Sequence, residues 1–338
     1  MRSALSWKRW TAICAVAGAA LVGASTPASA ATSITFGPVA VTNVPPAPDD
    51  DDPNPIQKVQ ALGQISAPVT AGQTAYVYST LHAYDSAHVN LVDSEVRCSG
   101  AGGSNVVLGE NIDPAGSAQP GRDDITIVNR FLASATSTGT LTCTIYVRTV
   151  SLSKNTSSFT VDGTLRFAAQ QVAEDADGLA MQTSLPNGNT EVGGSKVYKP
   201  ILDRTIGSGH SQVAVIADVE YMSCFLKGSC PASSTASGAR FTLYAKQMNG
   251  DATCAEAVAA QTSVTVSRQT HHKVVPLYTT ITLAPGCDRI YAYVRAEYTS
   301  GPTGAIQGLA PGLSDETGGP QSPHVHDSAM THLFAVPS

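Results

Sequence analysis

The sequence predicts an all-β protein built from two tandem antiparallel β-sandwiches. Leu141–Arg148 alternates apolar and polar side chains with a period of two, which is typical of a half-buried β-strand. Cys287–Glu297 alternates in the same way and repeats the Tyr-Val-Arg triplet of the first stretch. Short alternating stretches separated by Gly, Ser, Asn and Pro clusters, without a long helical periodicity, favour antiparallel sandwiches over mixed folds.

Residues 1–30 have the pattern of a secretory signal peptide. Basic residues precede the apolar stretch Thr11–Val22, and Ala28-Ser29-Ala30 forms a small-residue cleavage site. The apolar stretch is shorter than the roughly 20 residues that a membrane span needs. We therefore predict cleavage after Ala30 and a secreted, extracellular product without a membrane anchor.

The charge of the mature chain argues against nucleic acid as a partner. Residues 1–30 hold three of the chain's 20 Lys and Arg and none of its 26 Asp and Glu, so 17 basic and 26 acidic residues remain, a formal charge of −9. Nucleic acids and anionic membranes are bound through clustered Lys and Arg. The Ala-, Gly- and Thr-rich composition behind this leader resembles that of secreted actinomycete proteins, a resemblance that matches no characterised family and implies no function.

The segment 31–56 combines a strand-like stretch with a spacer. Ser33–Val41 alternates, whereas the following Pro- and Asp-rich residues cannot pack a core and predict an extended, solvated spacer. Ser33–Val41 is either the first strand of the first domain or a tether that adds a strand to another protein. Asp49–Asp52 lacks the ligand spacing of a calcium loop.

Residues 57–167 predict the first sandwich domain. Its strands are predicted at Thr74–Asp85, Asn90–Cys98, Val106–Gly109, Ile125–Leu132, Thr140–Val150 and Phe159–Phe167. Within the last of these, Asp162-Gly163 predicts a tight hairpin turn.

Residues 168–194 lose the alternation and predict a linker, with a helical turn or two at Ala168–Asp177. Residues 195–338 predict the second domain as a repeat of the first. Val215 in Gln212–Tyr221 follows Val77 by 138 positions, and the two Tyr-Val-Arg triplets lie 147 apart. A single larger β-domain is the competing interpretation.

The six cysteines of the mature chain predict disulfides, because the exported chain meets an oxidising compartment. Domain logic pairs Cys98 with Cys143, Cys224 with Cys230, and Cys254 with Cys287. A Cys98–Cys143 bridge between two sheet segments resembles that of immunoglobulin-like sandwiches, although Leu141 stands where their corner tyrosine would be and no Trp packs on the bridge. The absence of CxxC pairs disfavours zinc.

No catalytic motif is present, and we predict no catalytic residues, no metal and no cofactor. Asp218 and Glu220 share one face of their strand, and we expect that face to be solvated. His324-Val325-His326-Asp327 and nearby His332 follow a Gly- and Pro-rich loop, and we expect solvated histidines there as well. The adjacent His271 and His272 should point to opposite faces.

Weak binding candidates lie at two places. Tyr76, Tyr78, His82 and Tyr84 form a stripe on the polar face of their strand, either an interaction patch or simply an exposed sheet face. Lys227 lies near the centre of the Cys224–Cys230 loop, which has the form of a substrate mimic for a trypsin-like protease.

These observations predict a secreted, non-catalytic binding or structural protein, in one version an adaptor that holds an extracellular partner through residues 31–56. The partner would be another extracellular protein or a cell-wall component. A carbohydrate- or wall-binding module is the first alternative, weakened because both tryptophans leave with the signal peptide. A protease inhibitor is the second.

Overall fold

A computed structural model describes residues 32–45, 57–86, 88–101, 103–112, 124–151, 156–172, 182–185, 189–207, 209–223, 236–267, 271–315 and 324–338. Within these ranges the regular elements are β-strands, so the all-β prediction is confirmed. These ranges also contain no helix long and apolar enough to cross a membrane. The predicted signal peptide 1–30, its cleavage site at Ala30 and the spacer around Asp49–Asp52 lie outside them.

The strands form several antiparallel sheets. In the first half of the chain they are β1 Ser33–Val44, β2 Lys58–Val69, β3 Thr74–Tyr84, β4 Val89–Gly100, β5 Gly103–Ile112, β6 Asp124–Ser134, β7 Gly139–Ser151 and β8 Ser157–Val172. In the second half they are β9 Gln182–Ser184, β10 Asn189–Val192, β11 Val197–Thr205, β12 Gln212–Met222, β13 Ala236–Asn249, β14 Ala252–Ser267, β15 His272–Thr282, β16 Arg289–Ser300, β17 Gly304–Gln307, β18 Leu309–Asp315, β19 His324–Ala329 and β20 His332–Pro337.

Four sheets account for these strands. Sheet I has the order β1-β8-β3-β6, and sheet II has the order β2-β7-β4-β5 continued by β19 and β18. In sheet III, β12 pairs with β15, β20 and β17, with β9 beyond β20 and β10 beyond β17. Sheet IV has the order β11-β16-β13-β14.

The same strand order occurs twice. Sheet I has the order 1-8-3-6 and sheet II contains 2-7-4-5, counting strands β1 to β8 along the chain. In the second half, β9, β11 to β16 and β20 can be counted from one to eight in the same way. Sheet III then contains 1-8-3-6 and sheet IV has 2-7-4-5. The two Tyr-Val-Arg strands, β7 and β16, occupy the same place. Eight strands in two packed sheets of this order form a jelly roll. The sequence predicted immunoglobulin-like sandwiches without a strand order. Immunoglobulin sheets pair strands ABED and CFG, so the likeness does not extend to the strand order.

Alternation explains why these residues form sandwiches. In β7, Leu141, Cys143, Ile145 and Val147 are buried on one face, as the period of two predicts. One apolar core joins sheets I and II, and a second joins sheets III and IV. The first core also includes Val274 from β15, so the two halves touch. The division at 57–167 and 195–338 stays a prediction, and β18 and β19 lie in sheet II although the sequence assigns them to the second half.

The N-terminal strand belongs to sheet I. β1 pairs antiparallel with β8 along most of its length, and the side chains of Val41 and Val44 are fully buried in the first core. In the structure, Ser33–Val44 is thus the first strand of the sandwich, which is one of the two alternatives predicted for this segment. Removal of this strand should therefore lower the thermal stability, because it would expose apolar core surface.

The predicted hairpin at Asp162-Gly163 is wrong, since β8 runs unbroken from Ser157 to Val172. Gly163 pairs with Phe36 on one side and Leu81 on the other. A Cβ atom there would lie 2.0 Å from the carbonyl oxygen of Thr80. The glycine permits close approach of neighbouring chains and makes no turn.

The predicted linker is partly strand. β8 continues through Ala168 to Val172, so the expected helical turn is wrong for these five residues, and β9 and β10 follow within 182–192. Residues 173–177 lie outside the described ranges. The reason for the error is that β8 pairs with β3 as far as Val172, and this long-range ladder extends a segment whose own sequence lacks alternation.

Two of the three predicted disulfides are confirmed, Cys98–Cys143 and Cys254–Cys287. Cys224 and Cys230 lie outside the described residues. Cys98 and Cys143 are directly opposite each other on the neighbouring strands β4 and β7 of sheet II. The bridge thus joins strands within one sheet, unlike the bridge between sheets in immunoglobulin domains.

Candidate binding surface

The predicted tyrosine stripe on β3 is divided between two environments. Tyr76 packs edge-on against Phe334 of β20, with ring centroids 5.3 Å apart, and joins a small apolar cluster with Leu132 and Ile216. Burial there raises the pKa of Tyr76 to about 12. Tyr76 therefore belongs to the contact between the two halves.

The rest of the stripe lies on the same face of β3, further along the strand. The guanidinium of Arg166 lies 4.8 Å from the ring centre of Tyr78. The ring of His82 lies 2.9 Å from a carboxylate oxygen of Asp124 and 5.2 Å, centre to centre, from the ring of Tyr84. These side chains are half-buried and engage one another, so this end of the stripe offers little apolar surface to a partner.

The contact between the halves contains an ionic centre that the sequence predicted to be solvated. Asp218 is 1% exposed and accepts hydrogen bonds from the backbone N–H, Nε and Nη2 of Arg130 in the first half. Glu220, on the same face of β12, is also fully buried. The expectation of a solvated face is wrong because that face of β12 is covered by β6.

His332 completes this centre and is also buried, against expectation. Its Nε2 bonds the backbone carbonyl of Arg130 and lies 3.9 Å from an Asp218 carboxylate oxygen. Burial lowers the pKa of His332 below its usual 6.5. The cluster thus links Arg130 of the first half to Asp218 and His332 of the second half.

The remaining residues that the sequence singled out do not form a site among the described residues. His271 and His272 do not diverge fully, since their ring centres lie 4.6 Å apart. Within the described residues, no group of three His, Cys, Asp or Glu side chains is placed to hold a metal ion. Lys227 and its loop lie outside the described residues, and His324 and His326 belong to β19.

A different set of tyrosines comes together on the outer face of sheet IV. Tyr198 of β11, Tyr244 of β13, and Tyr291 and Tyr293 of β16 form what we call the tyrosine surface. Tyr293 lies at its centre, with ring-centre distances of 5.7, 5.1 and 5.9 Å to Tyr198, Tyr244 and Tyr291. Three adjacent strands thus supply one continuous aromatic patch.

The tyrosine surface is open to solvent at the edge of the sheet. Tyr198 is 47% exposed, and its neighbour Ile201 is 42% exposed. The guanidinium of Arg295 lies 4.8 Å from the ring centre of Tyr244. Partial burial raises the pKa of Tyr293 above 10, so its hydroxyl is neutral at physiological pH.

Paired charges surround the tyrosines. On one side, Glu297 forms ion pairs with Lys196 and Arg240, with nitrogen–oxygen distances of 2.9 and 2.6 Å. The hydrogen bonds from these two side chains lower the pKa of Glu297 to about 2. On the other side, Arg289 bonds both carboxylate oxygens of Asp203.

Lys246 and Glu256 form a further pair on this side, with a nitrogen–oxygen distance of 2.8 Å. The aromatic centre is therefore enclosed by a rim whose charges already have partners.

The sequence carried a partial signal for this surface. Tyr291 and Tyr293 alternate on the predicted strand Cys287–Glu297 and so were expected on one face. Tyr198 and Tyr244 lie on strands whose pairing with β16 depends on contacts across about 50 to 100 residues of sequence. Their convergence was not predictable from local periodicity.

No family model and no curated protein matches this sequence. Among solved structures, the chain is similar to PNGF-II, with 10% identity, a TM-score of 0.33 and coverage of 91% of this chain and 65% of that one. It is similar to the stem and receptor-binding domain of spike protein P1 of bacteriophage PM2, with 7% identity, a TM-score of 0.24 and coverage of 86% and 100%. The CBM22-1-CBM22-2 tandem of Paenibacillus barcinonensis Xyn10C gives 11% identity, a TM-score of 0.23 and coverage of 82% and 91%. Similarities this weak carry no functional argument.

Proposed function

We propose that this protein is a non-catalytic extracellular binding protein and that the tyrosine surface holds its partner. The observation that carries the proposal is the convergence of Tyr198, Tyr244, Tyr291 and Tyr293 on the solvent side of sheet IV. Tyrosine supplies large contact area with few rotatable bonds, so ordering it on binding costs little entropy. The two disulfides are compatible with an oxidising, extracellular location.

The partner is a protein. Tyr and Arg are enriched at the centres of protein interfaces, which a polar rim surrounds. The tyrosine surface has this arrangement, with Arg295 on Tyr244, Ile201 exposed beside Tyr293, and ion pairs at the margin. A glycan would need polar groups beside the rings that are free to bind hydroxyls, and the charged groups here bind one another.

The binding residues proposed here differ from the sequence candidates. An adaptor that captures its partner through residues 31–56 is no longer favoured, because β1 fills its place in sheet I. The stripe on β3 is likewise less favoured, because Tyr76 is covered by the second half and His82 is engaged by Asp124. The inhibitor alternative rests on Lys227 and stays a prediction.

The test compares capture by three forms of the mature protein, immobilised and exposed to the native culture fluid. We expect the wild type and the control variant Tyr278→Ser to retain the same protein, since Tyr278 is 53% exposed on β15, away from sheet IV. Tyr198→Ser/Tyr293→Ser should weaken its binding by at least about 2 kcal/mol, roughly thirtyfold in Kd, as expected for central tyrosines.

Circular dichroism should show equal folding of the three proteins. Equal capture by the double variant would refute the tyrosine surface as the binding face. Retention of polysaccharide alone, on a glycan array or on insoluble chitin, cellulose or peptidoglycan, would replace the protein partner with a carbohydrate one.

A further inference from the structure

The edges of the sheets differ in how they avoid pairing with other chains. Edge strands expose unpaired N–H and C=O groups, and proteins usually protect them with Pro, Lys, bulges, short length or a covering element. Among the described residues the protecting features are Pro38 and two bulges in β1, Lys58 and Pro68 in β2, Lys199 and Pro200 in β11, Lys273 and Pro276 in β15, and Pro311 in β18. β9 and β10 are three and four residues long, and β6 is covered by the second half through Arg130 and Leu132.

β14 is the exception among these edges. It is 16 residues long, contains no Pro, Lys or Arg, and has Glu256 as its single charge. In the described part of the chain it pairs along its length with β13 alone. Two register shifts interrupt this ladder, between Thr253 and Ala255 and between Val258 and Ala260, whereas from Ala260 to Ser267 the register is continuous. β14 therefore presents an unprotected edge of eight regular residues.

We infer that β14 pairs antiparallel with β14 of a second copy of this chain, about a two-fold axis perpendicular to sheet IV. Residues 257–267 carry no charge, so self-pairing places no like charges opposite each other. The exposed side chains Gln261, Ser263 and Thr265 are small or polar, and cross-strand Thr and Ser pairs are favourable. A two-fold contact needs a surface that is compatible with itself, which a neutral strand satisfies.

The resulting dimer has a continuous sheet of eight strands, four from each copy. An axis perpendicular to the sheet keeps both outer faces on the same side, so the two tyrosine surfaces face one way. This consequence rests on the proposed function, whereas the dimer does not. Two binding faces on one rigid sheet would increase avidity for a repetitive partner.

The test measures the mass of the mature protein in solution by light scattering and sedimentation over a range of concentrations. We expect a dimer at micromolar concentration. Ser263→Lys/Thr265→Lys should be monomeric, because lysines on both copies would face one another across the seam. The control Ser33→Lys/Thr35→Lys places two lysines on the edge strand β1 and should remain dimeric. Its two positions are exposed, as Ser263 and Thr265 are, and both Ser33 and Ser263 lie opposite an Arg on the neighbouring strand.

Amide hydrogen exchange gives a second measurement that does not depend on a variant. Exchange within 260–266 should slow as the wild-type concentration rises. A monomeric wild type, or a dimer that persists in Ser263→Lys/Thr265→Lys, would overturn the inference. Two further outcomes would also contradict it. Slow exchange that is independent of concentration would show that another part of the same chain covers β14. Protection only after addition of a foreign extended peptide would show that the edge binds a different partner.

Discussion

The ionisation of His332 depends on where β20 places it. The imidazole is buried between the halves, bonds the carbonyl of Arg130, and lies 3.9 Å from Asp218. Burial disfavours the imidazolium more than the Asp218 carboxylate favours it, so the pKa falls below 6.5. A neutral ring can donate its Nε2–H to the carbonyl, while its buried Nδ1 has no hydrogen-bond partner among the described residues.

Stability should therefore fall as the pH is lowered through about 6.5. Below that pH the unfolded chain binds a proton that folded His332 resists, so the unfolded state gains up to about 1.4 kcal/mol per pH unit until the folded pKa is reached. His332→Gln keeps an N–H donor but cannot titrate, and should flatten the dependence of melting temperature on pH between about 8 and 5. An unchanged slope in His332→Gln would contradict the assignment.

At the scale of elements, β8 shows how long-range pairing overrides a local turn signal. Asp-Gly is a strong hairpin dipeptide in isolation. In sheet I, β8 lies between β1 and β3, and both neighbours approach Gly163 closely. The two ladders require an extended chain there, and only glycine leaves room for it.

Replacement of Gly163 by Ala should destabilise the protein strongly. The added Cβ would lie 2.0 Å from the Thr80 oxygen and 2.7 Å from the Phe36 ring, so backbone or core must move. We expect a loss of about 1–3 kcal/mol or more in the free energy of unfolding, measured by denaturant titration. Gly194→Ala is the matched control, because nothing lies within 4 Å of its added Cβ, and it should change stability little. Equal stability of the two variants would argue against the close packing of β1, β8 and β3.

At the scale of the whole molecule, the two halves meet at several places, since Val274 of β15 packs in the first core and β19 pairs with β5. One of these contacts packs β6 against β12 and β20. Leu132, Ile216 and Phe334 form its apolar part, and Arg130 with Asp218 forms its ionic part. A buried ion pair contributes little relative to apolar residues of the same shape, but loss of one partner leaves a buried charge unpaired. Asp218 therefore controls whether the halves unfold together.

Asp218→Ala should cost about 3–5 kcal/mol, because the Arg130 guanidinium would remain buried without its carboxylate. Calorimetry should show the single wild-type transition divided into two in this variant, as each half loses its contact with the other. The control Asp203→Ala breaks the solvent-exposed pair with Arg289 and should cost less than about 1 kcal/mol. A single transition at the wild-type temperature in Asp218→Ala would refute the role of the ionic centre.

The sequence by itself determined the all-β class, alternating strands such as β3, β7, β12 and β16 with the buried face of each, and two disulfide pairings. These properties are local or nearly so, since a period of two along a strand states which side chains share a face. The predicted correspondence of β7 with β16 also agrees with their equivalent places in the sheets.

Only the tertiary structure decided what covers the outer faces. Asp218 was expected in solvent because its strand face is polar, and His332 because it follows a Gly- and Pro-rich loop. Their partner Arg130 lies 88 and 202 positions away in the chain. The tyrosine surface and the room at Gly163 likewise depend on which strands become neighbours. Local periodicity distinguishes the two faces of a strand, whereas long-range packing decides which of them meets water.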